Sequence, residues 1–173
     1  MTFNPNEDVP IPYMRRTRDY YLALGFPSPY RWAHFTDVPF TPLAQPLTET
    51  RLALITTAAP YQPEAGNQGP GAPYNARAKF FEVYSGSTDS APDLRIAHLS
   101  YDRVHSSAED PNTWFPLERL RQAAQASRIG ALTARFHGVP TNRSQRVTIQ
   151  QDAPELLRRC REDGAQAALL VPT

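Results

Sequence analysis

Proline divides this chain into two parts that can fold in different ways. Most of its 18 prolines lie in the first 75 positions. A proline has no backbone N–H to donate and fixes φ, so it ends helices and is excluded from central strands. We therefore predict an N-terminal helix and extended arm over residues 1–49 and a regular α/β core domain over residues 50–173.

The arm contains one predicted helix. Residues 13–24 place tyrosine and leucine side chains near helical spacing, and Gly25 ends the pattern. Residues 27–46 carry aromatic side chains between prolines, which favours an extended conformation. We expect this segment to pack over its own domain or over a neighbouring subunit.

The core domain begins with a strong strand signal. Residues 51–57 form a compact apolar run, which is typical of a strand buried on both faces. Further strands are predicted over residues 79–84, 94–100 and 166–173, with a turn-rich connection over residues 86–92.

Two helices are predicted in the second half of the chain. The first runs from Asn112 or Thr113, either of which can cap it, to about Ser127. The second starts at Asp152, in a pattern that approximates a capping box, and stops at Gly164. Because strands and helices alternate, we predict a single α/β domain with a mostly parallel sheet and flanking helices.

Charge and composition argue against several classes of function. The net charge of +1 does not provide the basic surface that nucleic acid or an anionic membrane would select. No apolar run is long enough to span a bilayer, and we expect a cytoplasmic protein. The single cysteine, Cys160, falls on the apolar face of the second helix and is predicted to be a core residue. No dinucleotide or phosphate-binding fingerprint occurs, so the sequence gives no evidence for a cofactor.

The densest polar chemistry lies between residues 95 and 112. The predicted strand over residues 94–100 delivers His98, and the following loop adds Asp102 and His105. An imidazole with an orienting carboxylate can perform acid/base chemistry on a small substrate, so these three are the candidate catalytic residues. The candidate substrate-binding residues in the same segment are Tyr101, Asp110 and Asn112.

The same residues have other interpretations. His98, inside an apolar strand, can be a core histidine whose ring is satisfied by neighbours. Asp102, His105, Glu109 and Asp110 have side chains that can bind metals, but their positions fit no known ligand spacing, so we predict no metal site.

A second polar cluster follows a possible strand. Arg135, His137 and Arg143 lie around Gly138 in a segment that can be flexible. Two guanidinium groups can clamp a carboxylate in a bidentate manner, which suits an amino-acid-like substrate. The alternative is a solvated loop whose polar residues form local turns.

These motifs together resemble a known family, the glycine/sarcosine/betaine reductase selenoprotein B family, which includes D-proline reductase relatives. The resemblance is carried by residues 40–43 (FTPL), 51–57 (RLALITT), 95–102 (RIAHLSYD), 109–112 (EDPN), 115–120 (FPLERL), 128–130 (RIG), 162–165 (EDGA) and 169–173 (LLVPT). Glu118 stands where the family more often has aspartate.

The resemblance implies a reductase in which a selenolate or thiolate attacks a carbon that bears an amine and cleaves the C–N bond. A small amine or amino-acid-like molecule would be the substrate, and other reductase subunits or further copies of the chain would be partners. A selenocysteine suits this chemistry because it is ionised and nucleophilic at neutral pH.

The sequence departs from that family after Thr173. In relatives, the strand equivalent to residues 168–173 leads into a selenocysteine or cysteine, a second cysteine and another helix. We expect that an in-frame UGA codon was read as a stop, so that the core lacks its last βα loop, helix and nucleophile and is inactive as a reductase by itself. The alternative is a natural short member without the redox residue.

Two other function classes stay open. A non-redox binding or scaffold protein would use the pocket near residues 98–105 without a nucleophile. A lyase or racemase would use His98, Asp102 and His105 as acid and base. The nucleotide sequence beyond the Thr173 codon separates these hypotheses, because an open frame that encodes cysteine after a UGA would support the reductase.

Overall fold

The computed structural model describes residues 10–29, 31–99, 101–103, 105–106, 108–141 and 144–173. These residues fall into two compact units that divide between Pro39 and Phe40. In the first unit the helix α1 spans Tyr13–Ala23 and ends before Gly25, whose φ of 83° favours glycine. The helix predicted over residues 13–24 is confirmed. The predicted domain boundary at residue 50 stays a prediction.

The second unit contains the sheet. Its strands are β1 (Arg51–Thr56), β2 (Ala59–Pro60), β3 (Tyr84–Ser87), β4 (Leu94–Arg95), β5 (Ala131–Leu132), β6 (Arg135–Gly138) and β7 (Ala167–Val171). Its α-helices are α2 (Leu117–Gln125), α3 (Gln145–Val147) and α4 (Ala153–Glu162). Short 3₁₀ turns lie at Leu47–Glu49, Pro63–Ala65, Ala76–Ala78 and Pro111–Thr113, and a π-helical turn at Thr148–Asp152 joins α3 to α4.

The strand β1 lies in the middle of the sheet. Leu52 pairs in parallel with both Leu132 of β5 and Ala167 of β7, so these strands lie on opposite sides of β1. Ile55 likewise lies between β6 and β7. The strand β3 pairs antiparallel with β6, and β2 and β4 form a separate antiparallel pair. The predicted α/β fold with a mostly parallel sheet and flanking helices is confirmed.

Each face of β1 packs against a different helix. Leu54 belongs to a cluster with Trp114 and Phe136, to which α2 contributes. On the opposite face Ile55 packs with Cys160 of α4. Because successive side chains of a strand point to opposite faces, the apolar residues 52–55 of β1 need cover on both faces of the sheet. The predictions of a doubly buried first strand and of a buried Cys160 are confirmed.

Both predicted helices of the second half begin elsewhere than expected. The prediction that Asn112 or Thr113 caps α2 is wrong, because a separate 3₁₀ turn occupies Pro111–Thr113 and α2 starts at Leu117. The capping box at Asp152 is also wrong. Helical backbone already begins at Gln145, where the Ser144 side chain accepts from a backbone N–H, and Asp152 itself has helical φ and ψ with no capping hydrogen bond.

The strand predicted over residues 79–84 starts only at Tyr84 and continues through residues that were predicted to form a turn. Gly86 explains the difference. A Cβ on Gly86 would lie 2.5 Å from the Phe136 ring, so the glycine leaves room for that core side chain within a regular strand pair.

The strand predicted over residues 94–100 is also wrong beyond Arg95. Its partner strand β2 begins at Ala59, which pairs with Arg95, so the pairing does not extend past Arg95. His98 therefore lies in a loop and is not delivered by a strand. No helix in the described part of the chain is long and apolar enough to cross a bilayer.

Candidate functional site

A cavity of about 350 Å³ lies beside the β2–β4 pair, which follows the carboxyl end of β1. Its lining combines an apolar wall with a few polar side chains, a composition that is typical of small-molecule sites. The apolar wall includes Leu94, Ile96, Trp114 and Phe115, and the polar side chains are Gln68, Arg95, Arg103 and Glu109. The carboxyl end of parallel strands is also where open α/β sheets bind ligands.

The candidate catalytic residues Asp102 and His105 form a contact near this cavity. Asp102 Oδ2 lies 2.7 Å from His105 Nδ1. The carboxylate is 9% exposed, whereas the imidazole is 47% exposed. A buried carboxylate that holds an accessible imidazole is an arrangement that can transfer protons, because it fixes the orientation and tautomer of the ring.

His98 is half-buried in the loop that follows β4. Burial lowers its pKa, and the positive charges of Arg103 and Lys79 lower this pKa further. At neutral pH the ring is therefore uncharged. Among the described residues, His98, Asp102 and His105 do not line the cavity, whereas their neighbours Arg103 and Glu109 do.

Asp110 and Asn112 are placed by a local turn. Asp110 Oδ1 accepts from the backbone N–H and from the side-chain amide of Asn112, both at 2.9 Å. These hydrogen bonds lower the pKa of Asp110. The pair caps the 3₁₀ turn Pro111–Thr113, which leads into Trp114 of the cavity wall. Tyr101 lies under the guanidinium of Arg103, 5.5 Å from its ring centre.

Arg135 and His137 lie within β6, so the alternative interpretation of this segment as a solvated loop is wrong for them. The His137 side chain is fully buried and contacts two partners. Its Nδ1 lies 2.8 Å from Ser85 Oγ, and its Nε2 lies 3.1 Å from Asp163 Oδ2 in a poor alignment for a hydrogen bond. Arg135 donates to Asp163 Oδ1 from Nε at 2.9 Å and from Nη2 at 2.7 Å.

The proton on His137 can be assigned from this network. Ser85 Oγ accepts from Arg159 Nη1 at 3.0 Å, so its hydroxyl can donate to Nδ1. The ring proton then sits on Nε2 and faces Asp163. Burial lowers the pKa of His137 more than the Asp163 carboxylate raises it, so the ring is neutral at pH 7.

Arg143 and Cys160 are the last two residues that the sequence analysis considered. Arg143 lies outside the described residues. Cys160 is buried and belongs to the core, and burial raises the pKa of its thiol. A thiol in such an environment is a poor nucleophile at neutral pH.

Comparison with known proteins decides the family. The glycine/sarcosine/betaine reductase selenoprotein B (GRDB) family matches residues 24–173. The chain belongs to this family. D-proline reductase subunit gamma of Acetoanaerobium sticklandii is 28% identical to it over 133 residues, which are 76% of this chain and 52% of that protein. The chain thus spans about half the length of this curated relative. No solved structure matches it.

The structure brings to these sites several residues that the sequence did not single out as site residues. Ser85 of β3, Arg159 of α4 and Asp163, directly after α4, surround His137 of β6. Gln68 reaches the cavity from the glycine-rich segment between β2 and β3, which carries no recognisable binding motif. Arg103 could have been found, because it lies inside the polar segment of residues 95–112.

Proposed function

We propose that this chain is the selenoprotein B component of a reductase that cleaves the C–N bond of a small amine or amino-acid-like substrate. The observation that carries the proposal is the family match across residues 24–173. The name of the D-proline reductase relative supports an amino-acid-like substrate. The cavity of about 350 Å³ beside the β2–β4 pair is of suitable size for one.

The proposed reaction requires a nucleophile from outside these 173 residues. Cys160 is the one cysteine of the sequence, and it is buried with a raised pKa. A selenolate or low-pKa thiolate must therefore come from a further segment or from another reductase subunit. The role of this chain is to bind and orient the substrate so that its amine-bearing carbon faces that nucleophile.

A C–N cleavage assay tests this function. Cleavage releases an amine from glycine, sarcosine or betaine, whereas it opens the ring of proline to 5-aminopentanoate, and NMR detects either product. The chain alone, supplied with a dithiol reductant and each of these four substrates, is expected to form neither product. The chain together with its co-purifying subunits is expected to cleave one C–N bond of one of these substrates for each dithiol oxidised. Cleavage by the chain alone, or none by the assembled complex with any of the four, would contradict the proposal.

An acid/base enzyme is the second candidate, because Asp102 and His105 form an oriented carboxylate–imidazole pair. If it removes a proton from an α-carbon, the chain in D₂O will exchange the α-proton of an amino acid, which NMR detects as loss of the α-proton signal. His105→Gln is expected to slow this exchange by about 100-fold or more.

His34→Gln is the matched control, since His34 is exposed and lies in the first unit. Its exchange rate should equal that of the unchanged chain. Absence of exchange in the unchanged chain would eliminate this second candidate and leave the reductase proposal intact.

A further inference from the structure

Two guanidinium groups line the cavity beside β4, but only one of them has its charge satisfied. Arg95 forms an ion pair with Asp93, donates to the Leu94 carbonyl at 2.8 Å and stacks 4.7 Å from the centre of the Tyr61 ring. These three contacts hold Arg95 in place. It contributes to the electrostatic potential of the wall and has little remaining capacity to bind a ligand.

Arg103 is in a different situation. Its Nη2 donates to the Ile96 carbonyl at 3.3 Å, and its guanidinium stacks over Tyr101. Its Nη1 forms no hydrogen bond with a described residue, and no described carboxylate forms an ion pair with the guanidinium. Its Nε is buried without an acceptor, so a ligand reaches the guanidinium through the Nη atoms. A guanidinium that lacks an acceptor costs free energy. An anion bound at the Nη atoms would supply one.

The rest of the cavity wall indicates what the anion is attached to. Leu94, Trp114 and Phe115 provide apolar surface for a small carbon skeleton, and Glu109 provides a negative charge that can attract an amine. Arg103, which lines the same cavity, adds a positive charge that forms no ion pair with a described carboxylate. A zwitterion with an apolar body matches all three features.

We infer that this cavity binds the carboxylate of a small amino or imino acid, with Arg103 as the residue that anchors it. The inference deepens the proposed function and rests on it for the choice of ligand class. It assigns the carboxylate to Arg103, in place of the Arg135 and Arg143 clamp predicted from the sequence. Arg135 already donates two hydrogen bonds to Asp163.

An NMR titration of the full 173-residue chain tests the inference. The probes are glycine and proline together with their carboxamides, glycinamide and prolinamide, which keep the amine but lose the negative charge. At least one acid is expected to bind about 10-fold or more tightly than its amide, since a charge-assisted bidentate hydrogen bond is lost. Arg103→Gln should weaken binding of that acid by a similar factor and remove the preference over the amide.

Arg128→Gln is the matched control, because it removes one positive charge from an exposed position that does not line the cavity. It should bind the acid as the unchanged chain does. In Arg103→Gln the pKa of His98 should rise, because one of the charges that lower it is gone. If Arg103→Gln does not fold, Arg103→Lys, which keeps the charge but not the fork of N–H donors, should still lose part of the preference.

The inference is overturned if neither acid binds, if acid and amide bind equally, or if Arg103→Gln and Arg128→Gln weaken binding to the same extent. Its failure is separable from failure of the reductase proposal. A complex with Arg103→Gln that cleaves the C–N bond with unchanged KM would refute the role of Arg103 as the anchor and leave the reductase proposal standing. If the acids bind through Arg103 but the assembled complex cleaves no C–N bond, the anchor stands and the reductase proposal fails.

Discussion

Alanine in place of Gly130 is expected to lower the free energy of unfolding by about 2–3 kcal/mol. A Cβ at this position would lie 2.5 Å from the carbonyl carbon of Glu49 and 2.7 Å from the backbone nitrogen of Thr50. Both are backbone atoms at the entry to β1, so no side-chain rotation relieves the overlap. The backbone N–H of Gly130 also donates to the Leu47 and Thr50 carbonyls, which prevents the glycine from moving away without losing these bonds.

Thermal unfolding by circular dichroism measures this effect, and the expected fall in Tm is about 5–10 °C for a chain of this size. Gly71→Ala is the matched control, because no atom lies within 4 Å of the added methyl group. Its Tm should stay close to that of the unchanged chain. An equal Tm for the two variants would contradict this prediction, because it would mean that the backbone at the start of β1 shifts to accommodate a Cβ at residue 130.

The parts of the fold that sequence could predict are those with a strong local signal. Residues 52–55 form an uninterrupted apolar run, and α1 has both helical spacing and a glycine stop, so these elements followed from the residues alone. The strand β3 had no such signal. Its sequence looks like a turn, and only the Phe136 ring from a distant strand shows why Gly86 belongs in a sheet.

The start of the last helix could not be predicted from local sequence either. Asp152 and Glu155 have the spacing of a capping box, but the residues before them are already helical because Ser144 caps an earlier start. A capping box indicates a helix start only where the preceding backbone is non-helical, and the sequence did not reveal the helical segment from Gln145 onward.

In the candidate sites, contacts between neighbouring residues could be predicted from the sequence, whereas contacts between distant segments could not. Asp102 and His105 are three residues apart in one loop, so their contact could be predicted from spacing. The contacts of His137 with Ser85 and Asp163 join β6 to the antiparallel strand β3 and to the end of α4. Such a set forms only when β3, β6 and α4 pack together, and no local pattern encodes it.

The His137 network makes the stability of the fold depend on pH. The pKa of His137 is lowered from 6.5 in the folded state, mainly by burial, so between the two pKa values the unfolded state binds more protons. Stability is then highest above pH 6.5 and falls as the pH drops below that value. The pKa of His98 is lowered for the same main reason, burial, and adds to the loss in the same direction.

Asp163→Asn is expected to lower the free energy of unfolding by about 2–3 kcal/mol at pH 7, since it breaks an ion pair whose carboxylate is 9% exposed. The half-exposed Arg135 regains water, which keeps the loss below that of a fully buried pair. The variant also removes the one carboxylate that raises the pKa of His137, so this pKa falls further and the gap to the unfolded value widens. Between pH 7 and pH 5.5 the variant should therefore lose more stability than the unchanged chain does.

Urea unfolding midpoints at the two pH values measure this difference, with Asp89→Asn as a control for loss of one exposed charge. Equal losses in Asp163→Asn and Asp89→Asn at both pH values would show that His137 does not respond to Asp163, and that the network is held by Ser85 and burial alone.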